Sequence, residues 1–367
     1  MVEWKKLGNL CEIKTGKGIT QKDCTVDGVY PVISGGQCPM GMYSQYNREA
    51  DTITISRVGA YAGFVSFIAN RFYLNDKCFS IIPFKESLII NKFLFDVLKN
   101  QEEGIKKLQS EGGVPTINTK KLSALDIPIP PLSEQNRIVG ILDTFTKSIE
   151  NLKKQITERK KQYEHYRDQL LDFSKEDVEF KSIKEIVKSY CTGATPKKGN
   201  LKYYEGGTIP WLRTQDVKFN EIFEINSFVT NIALEETGIK WIPANCVIVA
   251  ISGATAGRCA INKIPTTTNQ HCLNLEIDSN KALYKYVYFC VYNAYSEMIS
   301  KKQGARGDLN TTIILGIKIP IPSLQEQKRI VSILDTFEAS ITNLEAQLSL
   351  RQKQYEYYRN MLLTFDE

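Results

Sequence analysis

The sequence lacks the residue patterns on which many active sites and membrane anchors depend. Its nine cysteines contain no C-x-x-C pair, and its only histidines are His165 and His271. A zinc site or a disulfide framework is therefore not expected, and scattered reduced thiols are typical of the cytoplasm. No apolar stretch reaches the length of a membrane span. We expect a cytoplasmic protein with no metal site and no membrane contact.

Signatures of catalysis are equally scarce. The two Gly-Ala-x-Ala-Gly sequences, at 59–63 and 253–257, lack the Lys-Ser/Thr of a phosphate-binding loop and are predicted to be tight turns. The tripeptide at 179–181 has the form of a nuclease E-x-K, but its counterpart at 3–5 favours an exposed strand edge for both. No Asn/Asp-Pro-Pro-aromatic tetrapeptide and no glycine-rich loop of the methyltransferase kind occur. We expect no catalytic residue and no cofactor site in this chain.

What the chain does contain is a long internal repeat. IPIPPLSEQNRIVGILDTF, beginning at Ile127, returns as IPIPSLQEQKRIVSILDTF at Ile319. Aligned at an offset of about 192 residues, about 30 of 47 positions are identical, which is beyond chance. Ile-Pro-Ile-Pro excludes a helix, because each proline forces its predecessor into an extended conformation. A helix is therefore predicted to begin just after it, near Ser133 in the first copy and Gln325 in the second.

Each copy then carries the apolar spacing of a coiled coil. Apolar side chains step alternately by four and three residues for about five heptads, which is the 3.5-residue period of a helix seam. About 40 helical residues make a rod of roughly 60 Å. Because the globular segment between the copies joins the end of one helix to the start of the other, we predict antiparallel packing. The predicted seam residues are Leu142, Phe145, Ile149, Leu152, Leu334, Phe337, Ile341 and Leu344.

The repeat divides the chain into four parts. We predict an α+β protein in which two globular domains, 1–132 and 175–324, are joined by two long antiparallel coiled-coil helices, 133–174 and 325–367, in a pseudo-twofold internal repeat. The globular domains repeat one another more loosely, with the same short words in the same order and different loop contents. Within the first domain, 91–108 is predicted to form one helix. Similar scaffolds with different loops favour two modules that bind different targets.

The loops of both domains carry side chains that suit DNA. Arginine reads guanine, asparagine and glutamine read adenine, and acidic groups accept from cytosine, whereas lysine suits phosphates. The net charge of +6 tolerates a polyanion but is too small for a strong DNA clamp without partners. The candidates for base contacts are Arg57, Tyr61, Asn118, Arg213, Gln215, Asp216, Arg258, Arg306 and Asn310, and those for phosphates are Lys17, Lys77, Lys120 and Lys121.

The complete pattern resembles the specificity subunits of type I restriction-modification enzymes. The resemblance covers the whole chain, and its most specific part is the pair of Ile-Pro-Ile-Pro-x-Leu-x-Glu-Gln-x-Arg-Ile-Val sequences before the heptad helices. It implies that each globular domain is a target recognition domain that reads one half of a split, asymmetric DNA site. It also implies that the paired helices set the length of the unread spacer between the halves.

The resemblance implies partners as well. Two methylation subunits would bind the helices and the adjoining domains, and they would supply S-adenosylmethionine and the adenine-N6 chemistry. Restriction subunits would add translocation and cleavage that depend on ATP and Mg. The chain itself would be a non-catalytic subunit that binds double-stranded DNA. The residues leave two alternatives open. One is a structural adaptor with a dimerising coiled coil and two protein-binding domains, and the other is an enzyme that acts on nucleic acid by itself.

Overall fold

The computed structural model of the chain divides into two compact units, and each unit is built from segments distant in sequence. The first unit comprises Met1–Lys154 and Glu345–Glu367, and the second comprises Gln155–Leu344. Each unit contains one globular region and a part of each of the two long helices. The structure describes residues 2–84, 88–110, 113–301 and 308–365.

The first unit is built on a four-stranded antiparallel sheet. In hydrogen-bonding order its strands are Cys11–Thr15, Cys78–Pro83, Thr52–Ser56 and Val65–Ile68. A three-stranded sheet is formed by Met42–Tyr43, Tyr30–Ile33 and Tyr73–Leu74. A two-stranded ribbon is formed by Glu3–Lys6 and Asp126–Ile129. The short helices are Leu7–Leu10, Asn91–Asn100, Glu102–Lys106 and Thr119–Ser123, with a 3₁₀ turn at Gln21–Asp23.

The second unit repeats this plan with one more strand in its main sheet. The order is Val187–Thr192, Cys272–Ile277, Val247–Ala250, Cys259–Asn262 and Asn220–Ile222, and only the last pair is parallel. A three-stranded sheet is formed by Phe228–Val229, Ile209–Leu212 and Thr267–Thr268, and a two-stranded ribbon by Phe180–Ser182 and Lys318–Pro320. The short helices are Ile183–Ile186, Asn231–Glu236, Tyr284–Asn293, Tyr295–Ser300 and Thr311–Leu315, with 3₁₀ turns at Leu201–Tyr203, Thr214–Asp216 and Gly253–Thr255.

In each unit the Ile-Pro-Ile-Pro run begins in the strand that precedes a long helix. The strands Asp126–Ile129 and Lys318–Pro320 each pair with the strand that opens the unit's globular region, and the long helices follow at Leu132–Leu170 and Leu324–Leu363. Proline is tolerated here because a two-stranded ribbon leaves one side of each strand without a ladder partner. The E-x-K look-alikes lie at these ribbons, where half-buried lysines pair with the exposed glutamates two residues earlier. This setting is structural.

The long helices make the same contact in both units. In the first unit the Phe145 ring stacks on Tyr358, with ring centroids 5.2 Å apart, and the Arg351 guanidinium lies over it. In the second unit Phe337 stacks on Tyr166, with centroids 5.3 Å apart, and Arg159 lies over that ring. The beginning of one helix thus pairs with the end of the other in each unit. The predicted α+β fold with an antiparallel, pseudo-twofold helix pair is confirmed.

The predicted seam is covered unevenly. Leu142 and Leu334 are fully buried, and both belong to the cores of their units. The other six seam residues are half-buried, namely Phe145, Ile149, Leu152, Phe337, Ile341 and Leu344. The helix ends therefore pack into the globular cores, while the middle of each seam keeps part of its surface accessible.

The single helix predicted for 91–108 is wrong. The chain forms two helices, Asn91–Asn100 and Glu102–Lys106, and the backbone leaves helical geometry at Gln101 (φ −86°, ψ 6°). The cause is the Glu102 carboxylate, which accepts a hydrogen bond from the Val65 backbone N–H at 3.0 Å and pairs with Lys99. A contact to a distant strand thus breaks the local pattern.

Candidate nucleic-acid interface

Three segments of the first unit meet where its central strand, Thr52–Ser56, ends. The Arg57 backbone N–H donates to the Lys77 carbonyl oxygen at 2.8 Å, and the Ile117 N–H donates to the Arg57 carbonyl oxygen at 2.9 Å. Asn118 follows directly and caps the helix Thr119–Ser123 by accepting from the Lys121 N–H at 2.9 Å. Backbone hydrogen bonds therefore bring Arg57, Lys77 and Asn118 together.

A fourth segment joins them through a close backbone approach. The Lys17 N–H donates to the Leu74 carbonyl oxygen at 3.0 Å. A Cβ placed on Gly16 would lie 1.9 Å from that same oxygen, so only glycine fits there. The Asn75 N–H donates to the Ile33 carbonyl oxygen at 2.9 Å, and Asn75 is itself buried. We call this set of hydrogen bonds around 17, 57, 77 and 117 the frame of the first unit.

The second unit has the same frame. The Ile251 N–H donates to the His271 carbonyl oxygen at 2.9 Å, and the Leu309 N–H donates to the Ile251 carbonyl oxygen at 2.7 Å. The Ala194 N–H donates to the Thr268 carbonyl oxygen at 3.0 Å. Gly193 precedes it and repeats the role of Gly16, because a Cβ there would lie 1.9 Å from the Thr268 carbonyl oxygen. Positions 17, 57, 77 and 118 thus correspond to 194, 251, 271 and 310.

The side chains on the two frames differ. In the first unit they are Lys17, Arg57 and Lys77, and in the second unit Ala194, Ile251 and His271 take their places. These second-unit residues were not predicted from the sequence, because their side chains do not resemble a DNA-binding pattern. Aligning the two globular regions on their short repeated words was the available signal. One scaffold therefore presents two different surfaces.

Arg57 is held in a defined position. It is half-buried, its Nη1 lies 3.4 Å from the Asp76 carbonyl oxygen, and its guanidinium carbon lies 5.9 Å from the centre of the Phe79 ring. Lys17 and Lys77 are exposed instead. Tyr61, in the turn that follows Arg57, is 47% exposed. A planar donor group with exposed cations nearby is a suitable surface for an anionic polymer.

The second unit adds a turn with its own polar groups. The Asp216 carboxylate accepts from the Arg213 N–H at 2.9 Å and so shapes the turn Thr214–Asp216, which leaves Gln215 exposed. The Nε of Arg213 is buried and has no hydrogen-bond partner within the described residues. Ser34 of the first unit corresponds to Arg213, because the carbonyl oxygens of the preceding residues, Ile33 and Leu212, accept equivalent backbone hydrogen bonds.

The remaining candidates lie at the edges of these frames. Lys120 and Lys121 are exposed on the helix that Asn118 caps, and the Lys121 Nζ lies 3.3 Å from the Leu108 carbonyl oxygen. Arg258 is half-buried after the Gly253–Thr255 turn. Asn310 caps the helix Thr311–Leu315 by accepting from the Ile313 N–H at 2.8 Å, as Asn118 does in the first unit. Arg306 lies outside the described residues.

The repeated motif forms a second pair of equivalent surfaces. Gln135 is fully buried, accepts from the Ile90 N–H at 2.8 Å and donates to the Leu88 and Pro130 carbonyl oxygens at 3.1 and 2.9 Å. Gln327 does the same with the Leu283 N–H and the Pro322 carbonyl oxygen, both at 2.9 Å. The motif glutamine therefore locks the start of each long helix to its globular region.

Beside each lock lies an open groove. The groove of the first unit has a volume of about 690 Å³, and that of the second about 450 Å³. Exposed pairs, Glu134 with Arg137 and Glu326 with Arg329, repeat on the same helix turns. The groove linings share equivalent positions, with Ile90, Asn136 and Asp143 in the first and Leu283, Lys328 and Asp335 in the second. A groove at equivalent positions is thus present twice.

Other chemistry is sparse. The described part of the chain holds no cluster of His, Cys, Asp and Glu that could bind a metal ion. All nine cysteines are free thiols, and burial raises the pKa of Cys78 and Cys246 to about 12, which makes them poor nucleophiles. Within the described residues, none of the helices is both long enough and apolar enough to cross a membrane.

Comparison with known proteins gives one consistent result. The family model for the type I restriction modification DNA specificity domain matches residues 1–159 and 175–351. The specificity subunit of the Escherichia coli type I restriction enzyme EcoR124I/EcoR124II is 36% identical over 65% of this chain and 61% of its own length. A putative type I restriction enzyme specificity subunit of Haemophilus influenzae is 27% identical over 99% of this chain and 96% of its own.

Solved structures agree on the fold. The S subunit of a type I restriction-modification system from M. genitalium matches with a TM-score of 0.69 at 18% identity, covering 100% of this chain and 97% of that one. The HsdS subunit from Thermoanaerobacter tengcongensis matches with a TM-score of 0.51 at 15% identity, covering 99% and 95%. At these identities the likeness concerns the fold.

Proposed function

The chain belongs to the type I restriction-modification DNA specificity family, and on that basis we propose that it is the DNA-recognition subunit of a type I restriction-modification complex. The observation that supports this proposal best is the duplicated frame: its backbone hydrogen bonds are equivalent in both units, whereas the side chains at the corresponding positions differ. One scaffold used twice with different surface chemistry fits a reader of two unlike half-sites. The globular domains, at 1–132 and 175–324, would each read one half of a split, asymmetric site in double-stranded DNA.

The long helices, at 133–174 and 325–367, supply the spacing in this proposal. A rigid connection between two readers fixes the number of unread base pairs, as the separation of half-sites does for other two-part DNA-binding proteins. Their heptad seam, including Phe145 and Phe337, makes the same contact in each unit. The spacer length then depends on helix length.

The duplicated groove and ion pair at the start of each long helix support two identical partners. A surface that occurs twice, with its exposed pairs retained, is suited to bind two copies of one protein. We assign these partners as two methylation subunits, which carry S-adenosylmethionine and the adenine-N6 chemistry. Restriction subunits with ATP and Mg complete the assembly. The chain itself contributes no catalytic group, and it works in the cytoplasm, where its free thiols remain reduced.

A methylation map tests the proposal. Genomic DNA is sequenced from cells that express this chain together with its cognate methylation subunit, and from cells that lack this chain. We expect a single split motif, methylated at adenine on both strands, that disappears without this chain. If the complex assembles and no motif appears, the chain is instead a structural adaptor whose globular domains bind proteins.

A further inference from the structure

The two frames contain one pair of corresponding positions with opposite chemistry. Arg57 and Ile251 have the same backbone hydrogen bonds, donating from N–H to the carbonyl oxygen of 77 or 271 and accepting from the N–H of 117 or 309. Both residues are half-buried at the end of the central strand of their unit. The scaffold therefore places a five-donor cation in one unit where it places an aliphatic side chain in the other.

We propose that 57 and 251 are equivalent base-reading positions, where Arg57 selects a guanine in one half-site and Ile251 selects a thymine in the other. This inference rests on the proposed function and specifies its substrate. Arginine pairs bidentately with the O6 and N7 of guanine in the major groove, and apolar side chains contact the C5-methyl group of thymine. Isoleucine has no donor for guanine, so the two units require different bases at matching places.

The surroundings of Arg57 distinguish a base contact from a phosphate contact. A phosphate can be bound by an exposed cation such as Lys17 or Lys77, whereas a bidentate base contact requires an oriented plane. The Asp76 carbonyl oxygen, 3.4 Å from Nη1, and the Phe79 ring orient the Arg57 guanidinium. The exposed lysines would hold the phosphates on either side while Arg57 reads the base.

The surroundings of Ile251 have the matching apolar character. Its side chain packs against the core of the second unit, and Ala194 replaces the Lys17 cation on the same frame. His271 takes the place of Lys77, with its Nε2 lying 3.1 Å from the Gln270 amide nitrogen. The second frame therefore offers an aliphatic side chain and an imidazole where the first offers an arginine and two lysines.

Reciprocal variants test the inference. The full chain, assembled with its methylation subunit, is used to select bound DNA from libraries randomised in each half-site. We expect Arg57→Ile to lose a guanine preference of about 10- to 100-fold at one position of one half-site, with the other half unchanged. Ile251→Arg is expected to replace a thymine preference by a guanine preference at one position of the other half-site.

Two further variants separate base reading from charge and folding. Arg57→Lys keeps the charge but loses the bidentate fork, so it should lose the guanine preference as Arg57→Ile does. Arg71→Ile is the matched control, because Arg71 is an exposed arginine of the same unit that pairs with Glu49 and lies over the Tyr46 ring. It should leave both half-sites unchanged. Thermal unfolding of each complex confirms that the variants are folded.

Three results would overturn the inference. In the first, Arg57→Ile weakens binding equally for all sequences while Arg57→Lys restores it, which identifies a phosphate contact. In the second, Arg57→Ile leaves affinity and preference unchanged, which identifies a structural residue. In the third, Ile251→Arg folds but alters no base preference. A wild-type complex without any split preference would instead contradict the proposed function.

Discussion

The buried glutamine of the repeated motif allows the sharpest stability prediction. Replacing Gln135 by alanine removes three hydrogen bonds at a fully buried site, one to the Ile90 N–H and two to the Pro130 and Leu88 carbonyl oxygens. Each buried polar group that loses its partner costs about 1–3 kcal/mol. Since Leu88 is itself exposed and its carbonyl can regain water, we expect the first unit to lose about 3 kcal/mol of unfolding free energy.

The equivalent change in the second unit should cost less. Gln327 makes two hydrogen bonds, with the Leu283 N–H and the Pro322 carbonyl oxygen, so Gln327→Ala should cost about 2 kcal/mol. Asn136→Ala is the matched control, because the exposed Asn136 amide donates back to the Leu132 carbonyl oxygen of its own helix at 3.0 Å. Exposed changes of this kind stay within about 0.5 kcal/mol.

Because the chain has two units, each needs its own probe of unfolding. Hydrogen exchange measured at increasing urea concentration serves this purpose when it is followed on the helix Asn91–Asn100 for the first unit and Tyr284–Asn293 for the second. Gln135→Ala should shift the first transition more than the second, and Gln327→Ala the reverse. A shift below about 1 kcal/mol for Gln135→Ala would refute the anchoring role, since one unpaired buried group already costs that much.

Three further predictions concern charge and length. Burial raises the pKa of Asp96 to about 7, so the folded state keeps a proton that the unfolded state releases above about pH 4. The free energy of unfolding therefore falls as pH rises from about 4 to about 7. In urea unfolding, the stability of Asp96→Asn relative to wild type should therefore rise by up to about 4 kcal/mol between pH 4 and pH 8. The little-exposed Lys285 ammonium bridges Glu221 and Asp335 at 3.0 and 2.9 Å, so Lys285→Ala should lower the free energy of unfolding by about 2 kcal/mol. In the same assay Lys92→Ala should lower it by less than about 1 kcal/mol, because the Asp143 partner of Lys92 lies 3.6 Å away. One extra heptad after Lys154 and another before Glu345 add about 10 Å to the helix pair. The spacer of the methylated motif should therefore gain roughly three base pairs, while both half-sites stay unchanged. An unchanged spacer would show that the helices do not set the spacer length.

The helices could be predicted from sequence because their determinants are local. Two prolines exclude a helix before Leu132 and Leu324, and the four-three apolar step continues to Leu170 and Leu363. The antiparallel direction followed from connectivity. No contact between distant residues had to be guessed, since the second copy of the repeat supplied the partner for the first.

The candidate site could be predicted only in part, because its geometry comes from contacts between distant segments. Nothing local indicates that the Arg57 carbonyl accepts from Ile117, or that Glu102 reaches Val65 and breaks the helix predicted for 91–108. Asn118 and Asn310 were predicted from sequence to contact adenine. In the structure the side chain of each also caps a short helix by accepting a backbone hydrogen bond, which was not predicted.

The contrast between conserved and divergent positions within one chain explains how such a protein can change its target. The frame is made of backbone hydrogen bonds and of glycines that admit a close approach, at Gly16 and Gly193. Only the backbone groups of 57 and 251 make the hydrogen bonds of this frame, so a different side chain there changes the chemistry offered to a ligand while those bonds can stay the same. Gln135 and Gln327, which lock globular region to helix, have no such freedom. Specificity can therefore vary in either unit while the helix pair and its docking surfaces stay the same.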